Sequence, residues 1–338
     1  MRLCDRVINK KGDFMDIDYL LLLQAFRNGV GAFLAPFMLW ISKFVCGYWV
    51  IAMIAMLYWV LDKKGGKRIL AGFTLGLLAN GFLKLTFCIY RPWIRDDRIL
   101  PYGDSKLTAT GYSFPSGHST WATAGFENIG LWFRKHGHKV ISTIFFIGVA
   151  TVMFSRNYLG VHTPQDVIVG FLATNLMIFC ANKIEDWSDK DTSRDKIILT
   201  CGIILCVALA LYYVYKPYPL TYLEDGSLLV DPKTMLADSC EGLGLLFGYS
   251  ISRCIERKGF DFEAEMDKKD RFIVGVFALI PLYIWFVDIR PALAGLIGKN
   301  ITYFIIFCGI EFYILVLVPR VMKYVNVKYF VKNSVAKN

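Results

Sequence analysis

Between Lys84 and Asp166 the chain carries three separated groups of polar residues, each at the edge of an apolar run. They are Lys84-Leu85-Thr86-Phe87-Cys88-Ile89-Tyr90-Arg91-Pro92, then Pro115-Ser116-Gly117-His118, then Ser155-Arg156 followed by His162 and Asp166. Together they supply three cations (Lys84, Arg91, Arg156), two histidines (His118, His162), one carboxylate (Asp166) and a glycine turn at Gly117. This set suits holding a phosphoryl group and attacking its phosphorus. A guanidinium fork matches phosphate oxygens. An imidazole oriented by a carboxylate keeps one nitrogen free as a nucleophile.

Each group also has a purely structural reading. Lys84 and Arg91 stand seven residues apart, about two helical turns, so a helix running on to Pro92 puts both on nearly one face. Two basic side chains snorkelling from a helix end would account for that pair alone. Ser116 is a natural N-cap, and a helix start with a nearby glycine is an anion site. Thr163-Pro164 reads as another helix start. There Asp166 is either the acid of a capping box or, at i, i+4, the partner of His162. These readings serve singly and fail jointly: two of the chain's four histidines fall in these groups. His136 and His138, among Arg134, Lys135 and Lys139, read as solvated loop residues.

In order and spacing, Lys84-x6-Arg91-Pro92, Pro115-Ser116-Gly117-His118 and Ser155-Arg156-x5-His162-x3-Asp166 resemble the three-part signature of the type 2 phosphatidic acid phosphatase superfamily, over roughly residues 80–182. The resemblance implies an all-α membrane fold and hydrolysis of a phosphoester with no metal or other cofactor, through a phosphohistidine. It implies that His162 attacks phosphorus, that Asp166 orients it, and that His118 protonates the leaving oxygen and later activates water. Lys84, Arg91, Arg156, Ser116 and the Gly117 N–H would then hold the phosphoryl oxygens. Positioning and charge neutralisation are what phosphoryl transfer asks of a protein.

The elements that must position these residues are membrane spans. Of 338 residues 55% are hydrophobic, and mean hydropathy is +0.45, gathered into long apolar runs. We expect about nine spans, near 44–61, 68–88, 117–134, 139–155, 163–182, 197–215, 236–252, 272–289 and 302–319. The net charge of +10 belongs to the connections on one side (Lys63 to Arg68, Arg134 to Lys139, Lys183 to Lys196, Arg253 to Arg271, and the tail). This is topology and not a nucleic-acid surface, and the positive-inside rule makes that side cytoplasmic. The three groups then face out of the cytoplasm, with the N-terminus outside and the C-terminus inside. Residues 17–28 read as an amphipathic helix, and Arg27 argues against one span over 17–42, so this part is expected on the membrane surface. The nine cysteines lack disulfide or zinc spacing and read as small core residues.

The expected organisation is an N-terminal segment, 1–43, a catalytic core, 44–189, and further helices of unassigned role, 190–338. The expected partners are the lipid bilayer and a phosphorylated lipid, either a phosphatidic acid-like monoester or a polyprenyl diphosphate. The expected location is the plasma (inner) membrane, or the endoplasmic reticulum in a eukaryote. Two other readings stay open. One is a soluble sugar phosphate as substrate, as in the glucose-6-phosphatases, which share the nine-span layout. The other is a transporter or sensor on an inactive core, given Asp238, Glu241, Asp288, Arg290 and Glu311 in the last spans. Oligomeric state is not legible.

Overall fold

The computed structural model describes residues 13–29, 31–109, 111–259 and 261–326. Among these the regular elements are all helical, with one isolated β-bridge between Tyr222 and Leu228. The expected residues 1–12 and the end of the basic tail lie outside the described residues.

Six helical segments are long and apolar enough to cross a membrane: Lys63–Arg95, Lys139–Tyr158, Pro164–Ser188, Arg194–Tyr215, Lys268–Ile297 and Lys299–Val325. The pair Leu34–Val45 and Tyr48–Leu61, bent by 52°, makes a seventh if it is one span. Nine are therefore not reached among the described residues. The two clear shortfalls have physical reasons. The helical stretch 117–135 carries His118, Glu127, Asn128, Arg134 and Lys135, too polar for a lipid-facing span. Pro232–Glu256 carries Asp238, Glu241, Arg253 and Glu256, and protein covers it in place of lipid. A Cβ at Gly242, Gly244 or Gly248 would lie 2.7, 2.4 or 2.6 Å from the backbone of Leu78, Phe304 or Cys308. By contrast only 17% of the apolar window of Arg194–Tyr215 is buried, as suits a helix facing lipid tails.

The chain divides into two compact units, each assembled from separated stretches: 1–47, 79–176 and 216–236 form the first, and 48–78, 177–215 and 237–338 the second. In the first, Asp13–Asn28 and Leu34–Val45 pack on Lys139–Tyr158. Arg27, expected to keep this part at the surface, is buried. It donates to the carbonyls of Tyr158 (2.9 Å) and Leu100 (2.7 Å), so its charge is spent on protein carbonyls. The loop 93–114 is tied to Asp13–Asn28 by Arg95, which pairs with Asp16 at 3.0 Å, while Arg98 pairs within the loop with Asp96 at 2.7 Å.

In the second unit the basic connections converge on acids. Arg253, fully buried, donates to Glu185 (2.9 and 3.1 Å), Ser188 (2.5 Å) and Asp195. Arg257 and Arg68 both pair with Asp189, and Lys67 with Glu256. Buried charges need such partners. Glu311, also buried, accepts from the Thr74 hydroxyl at 2.8 Å. The eight described cysteines are free, but only Cys88 and Cys206 are buried and Cys201 is exposed. The expectation of core cysteines therefore holds for two of them; Cys46, Cys180, Cys240, Cys254 and Cys308 are half-buried. His136 and His138 are exposed.

Candidate active site

All eight sequence-predicted site residues fall in the first unit. The first group departs from expectation. The helix Lys63–Phe87 does not continue to Pro92: Cys88 takes φ +51°, and Arg91 is extended (φ −65°, ψ 152°). A residue before proline is pushed out of the α region, so Arg91 leaves the helix and shares no face with Lys84. Both are nevertheless buried. Lys84 Nζ donates to Tyr112 O at 3.4 Å. Arg91 donates from Nε to Gly111 O (3.2 Å) and from Nη1 to Val161 O (3.1 Å), and Nη1 lies 2.8 Å from His162 Nε2.

The second group forms the expected cap. Ser116 is the N-cap of the helix starting at Gly117, and its Oγ accepts from the Ser119 N–H at 3.3 Å. The Ser116 N–H donates to Asp166 O at 2.9 Å, joining this helix start to the next one. That closeness depends on Gly170, where a Cβ would lie 2.9 Å from Ser116 O. Asn80 steadies the same turn, donating to Thr120 Oγ1 at 3.0 Å.

The third group turns between two long helices. Lys139–Tyr158 ends, Gly160 takes φ +75°, and Pro164–Ser188 begins. A left-handed residue just past a helix end is ordinarily glycine. Asn157 Nδ2 donates to His162 O at 2.8 Å, fixing the backbone of the histidine. Asp166 fulfils both readings at once. Its Oδ2 accepts from the Thr163 N–H at 2.9 Å while its own N–H faces Thr163 Oγ1 at 3.4 Å, a reciprocal cap. The same Oδ2 lies 3.3 Å from His162 Nδ1.

A third donor to that oxygen was not foreseen. The buried Ser113 hydroxyl donates to Asp166 Oδ2 at 2.5 Å and lies 3.4 Å from His162 Nδ1. Being neutral, it gave no charge signal; its only mark in the sequence is its place three residues before Ser116. The carbonyls of Gly111, Tyr112 and Val161, which hold Lys84 and Arg91, carry no side-chain signal at all.

A carboxylate facing Nδ1 and a guanidinium N–H facing Nε2 fix the tautomer of His162: the proton sits on Nδ1 and the lone pair on Nε2. The ring is 1% exposed. Burial above all, then the charges of Arg91, Arg156 and Lys84, holds its pKa well below the ordinary imidazole value. Arg156 is wholly buried, with Nη1 on Ser42 Oγ, while Nε and Nη2 meet no partner. A buried guanidinium with two unsatisfied donors is what an anion would complete. His118, also buried, lies within electrostatic reach of Arg156, His162, Arg91 and Lys84. The three sequence groups thus converge on one buried cluster of cations and imidazoles. Among the described residues, no three of His, Cys, Asp and Glu are arranged to hold a metal ion.

Comparison with known proteins bears on this core. The PAP2 superfamily profile matches residues 65–190. Undecaprenyl-diphosphatase of Sulfolobus acidocaldarius is 27% identical over 149 residues, 44% of this chain and 69% of that protein. Phosphatidylglycerophosphatase B of Bacillus subtilis is 33% identical over 33% of this chain and 57% of its own length. Lipid A 4'-phosphatase of Porphyromonas gingivalis is 32% identical over 38% and 57% respectively. The matches to the last two therefore span little more than half of each relative. No solved structure matches significantly. Lys84 to Asp166 all lie inside the stretch, residues 65–190, that matches the PAP2 superfamily.

Proposed function

We propose that this integral membrane protein is a phosphatase of a lipid phosphate, with His162 as its nucleophile and the catalytic core centred on 44–189. The observation that carries this reading is the setting of His162: buried, with Nε2 2.8 Å from Arg91 Nη1, Nδ1 3.3 Å from Asp166 Oδ2, and Lys84 and Arg156 within electrostatic reach. An unprotonated imidazole can attack; a protonated one cannot.

The substrate's phosphoryl dianion brings the charge that the cluster lacks. Its oxygens take the open donors of Arg156, with Arg91, Lys84, Ser116 and the Gly117 N–H around them. The His162 Nε2 lone pair forms a bond to phosphorus as the P–O bond to the lipid breaks. His118 delivers a proton to the departing oxygen. Water then attacks the phosphohistidine, giving a proton to His118; the P–N bond breaks, its electron pair returns to Nε2, and inorganic phosphate leaves. Ser113 and Asp166 keep the ring in its productive tautomer throughout. The site is proposed to face out of the cytoplasm, since the basic connections mark the opposite side.

A lipid monophosphate or polyprenyl diphosphate is preferred to a sugar phosphate, because the similar proteins are named for lipid or polyprenyl substrates. The test is phosphate release by detergent-purified protein on phosphatidic acid, undecaprenyl diphosphate and glucose 6-phosphate. Release from a lipid that is unaffected by EDTA, blocked by orthovanadate and lost in His162→Ala is expected. Strict Mg²⁺ dependence, or full activity in His162→Ala, would overturn the reading.

A further inference from the structure

Residues 216–235 lie beyond the matched core, which ends at 190, yet they belong to the same compact unit as the site. They touch the surroundings of Arg91 in three places. Lys216 Nζ donates to Leu85 O and to Thr86 O (2.8 Å), and lies 3.3 Å from Cys88 Sγ. Thr221 Oγ1 and Tyr90 OH are hydrogen-bonded at 2.9 Å. Met235 packs on Gly111, where a Cβ would lie 2.3 Å from Met235 Cγ, and Gly111 O is the acceptor of Arg91 Nε.

These contacts bracket the turn that carries Arg91 off the helix. The last carbonyls of a helix need donors, and a cation there is favourable. The usual device is a glycine in the left-handed region just past the end. Here Cys88 occupies that conformation at φ +51°, which disfavours a residue bearing a Cβ. Lys216 supplies the ammonium donors that satisfy the carbonyls on one side of the turn, and Thr221 holds the residue just before Arg91.

We propose that 216–235 is a positioning strap for Arg91, with Lys216 as its principal positioning residue. This assigns part of the stretch after 190 to the catalytic site. Lys216 acts through the turn and touches no substrate. The proposal rests on the phosphatase reading above.

The experiment measures kcat, KM and orthovanadate inhibition for full-length Lys216→Met in detergent, beside Lys216→Arg, Lys216→Met/Cys88→Gly and His162→Ala. Expected for Lys216→Met is a fall in kcat/KM of about 10- to 100-fold, the scale of a displaced substrate-positioning group. Orthovanadate binding should weaken in the same proportion, with the unfolding temperature little changed. Cys88→Gly, which relaxes the turn, should restore at least part of both losses, as should Lys216→Arg. An ordinary helix cap would alter unfolding temperature and leave the vanadate constant alone. Lys216→Met with parental kcat/KM, or with lost activity and unchanged vanadate inhibition, overturns the strap. If Lys216→Met does not fold, Thr221→Val takes the same measurements: weakened vanadate binding supports the strap and unchanged values overturn it. Full activity in His162→Ala would instead sink the phosphatase reading itself.

Discussion

Arg91 Nη1 stands 2.8 Å from His162 Nε2, while Nδ1 of the same ring stands 3.3 Å from Asp166 Oδ2. Arg91, 71 positions before His162, and Asp166 thus hold one imidazole between a cation and an anion. Arg91 faces the nitrogen that would attack phosphorus. Its Nε and Nη1 are already committed to Gly111 O and Val161 O, so its position is fixed from both sides of the cluster.

Arg91→Lys should therefore be far from conservative. A lysine ammonium cannot reproduce the two fixed carbonyl contacts and a phosphate contact together. We expect a fall in kcat/KM of about 10²-fold, as for loss of one preorganised donor, with the protein still folded. Activity within threefold of the parent, measured by phosphate release, would show that Arg91 is not part of the cradle.

Acid should weaken the fold through His162. An ordinary imidazole titrates near ~6.5, and burial and neighbouring cations depress His162 in the folded protein. The unfolded chain then binds this proton first. The stabilising contribution is fully present above about 6.5 and is lost as pH falls from there toward the lower folded value. The unfolding temperature in detergent should drop over that window, and His162→Gln, polar and non-titrating, should flatten the drop. An identical acid slope in the variant would refute this origin.

Ser113→Ala tests the donor that the sequence did not announce. Asp166 would keep the Thr163 N–H and the His162 ring but lose its 2.5 Å hydroxyl partner. A hydrogen bond to a charged group is worth about 1.5–3 kcal/mol. If that support acts on the transition state, kcat should fall at least ~10-fold with KM within about twofold. Ser113→Thr, which keeps the hydroxyl, should recover most of it. An equal loss in kcat and KM for both variants would point to general misfolding.

Gly170→Ala should damage the site from behind. The new methyl would press on Ser116 O, beside the Ser116 N–H to Asp166 O link that aligns the two helix starts. Overpacking of this kind costs about 1–3 kcal/mol, read as a lower unfolding temperature together with reduced kcat. Gly295→Ala, where nothing lies within 4 Å, serves as the control and should be neutral or stabilising by up to about 1 kcal/mol. Equal behaviour of the two variants would remove the packing explanation.

The sequence by itself determined the two helix starts that present the candidate site residues. Ser116 and Thr163 cap as their types require, and Asp166 is within reach of His162, because caps and i, i+4 pairs are settled by covalent geometry over a few residues. It also determined the helical, apolar character of the chain. Tertiary structure alone decided the rest. Arg91 leaves the helix of Lys84 because Pro92 and the turn at Cys88 override a periodicity that reads as continuous. Ser113 enters the site unannounced because a neutral hydroxyl gives no charge signal, and Arg27 is taken up by two carbonyls because backbone acceptors carry no residue signature. Pro232–Glu256 need not be apolar, because helix backbones rather than lipid press against its glycines. Residues 216–235 join the core across a long excursion of chain, and no local pattern encodes a contact whose partner lies more than a hundred residues away.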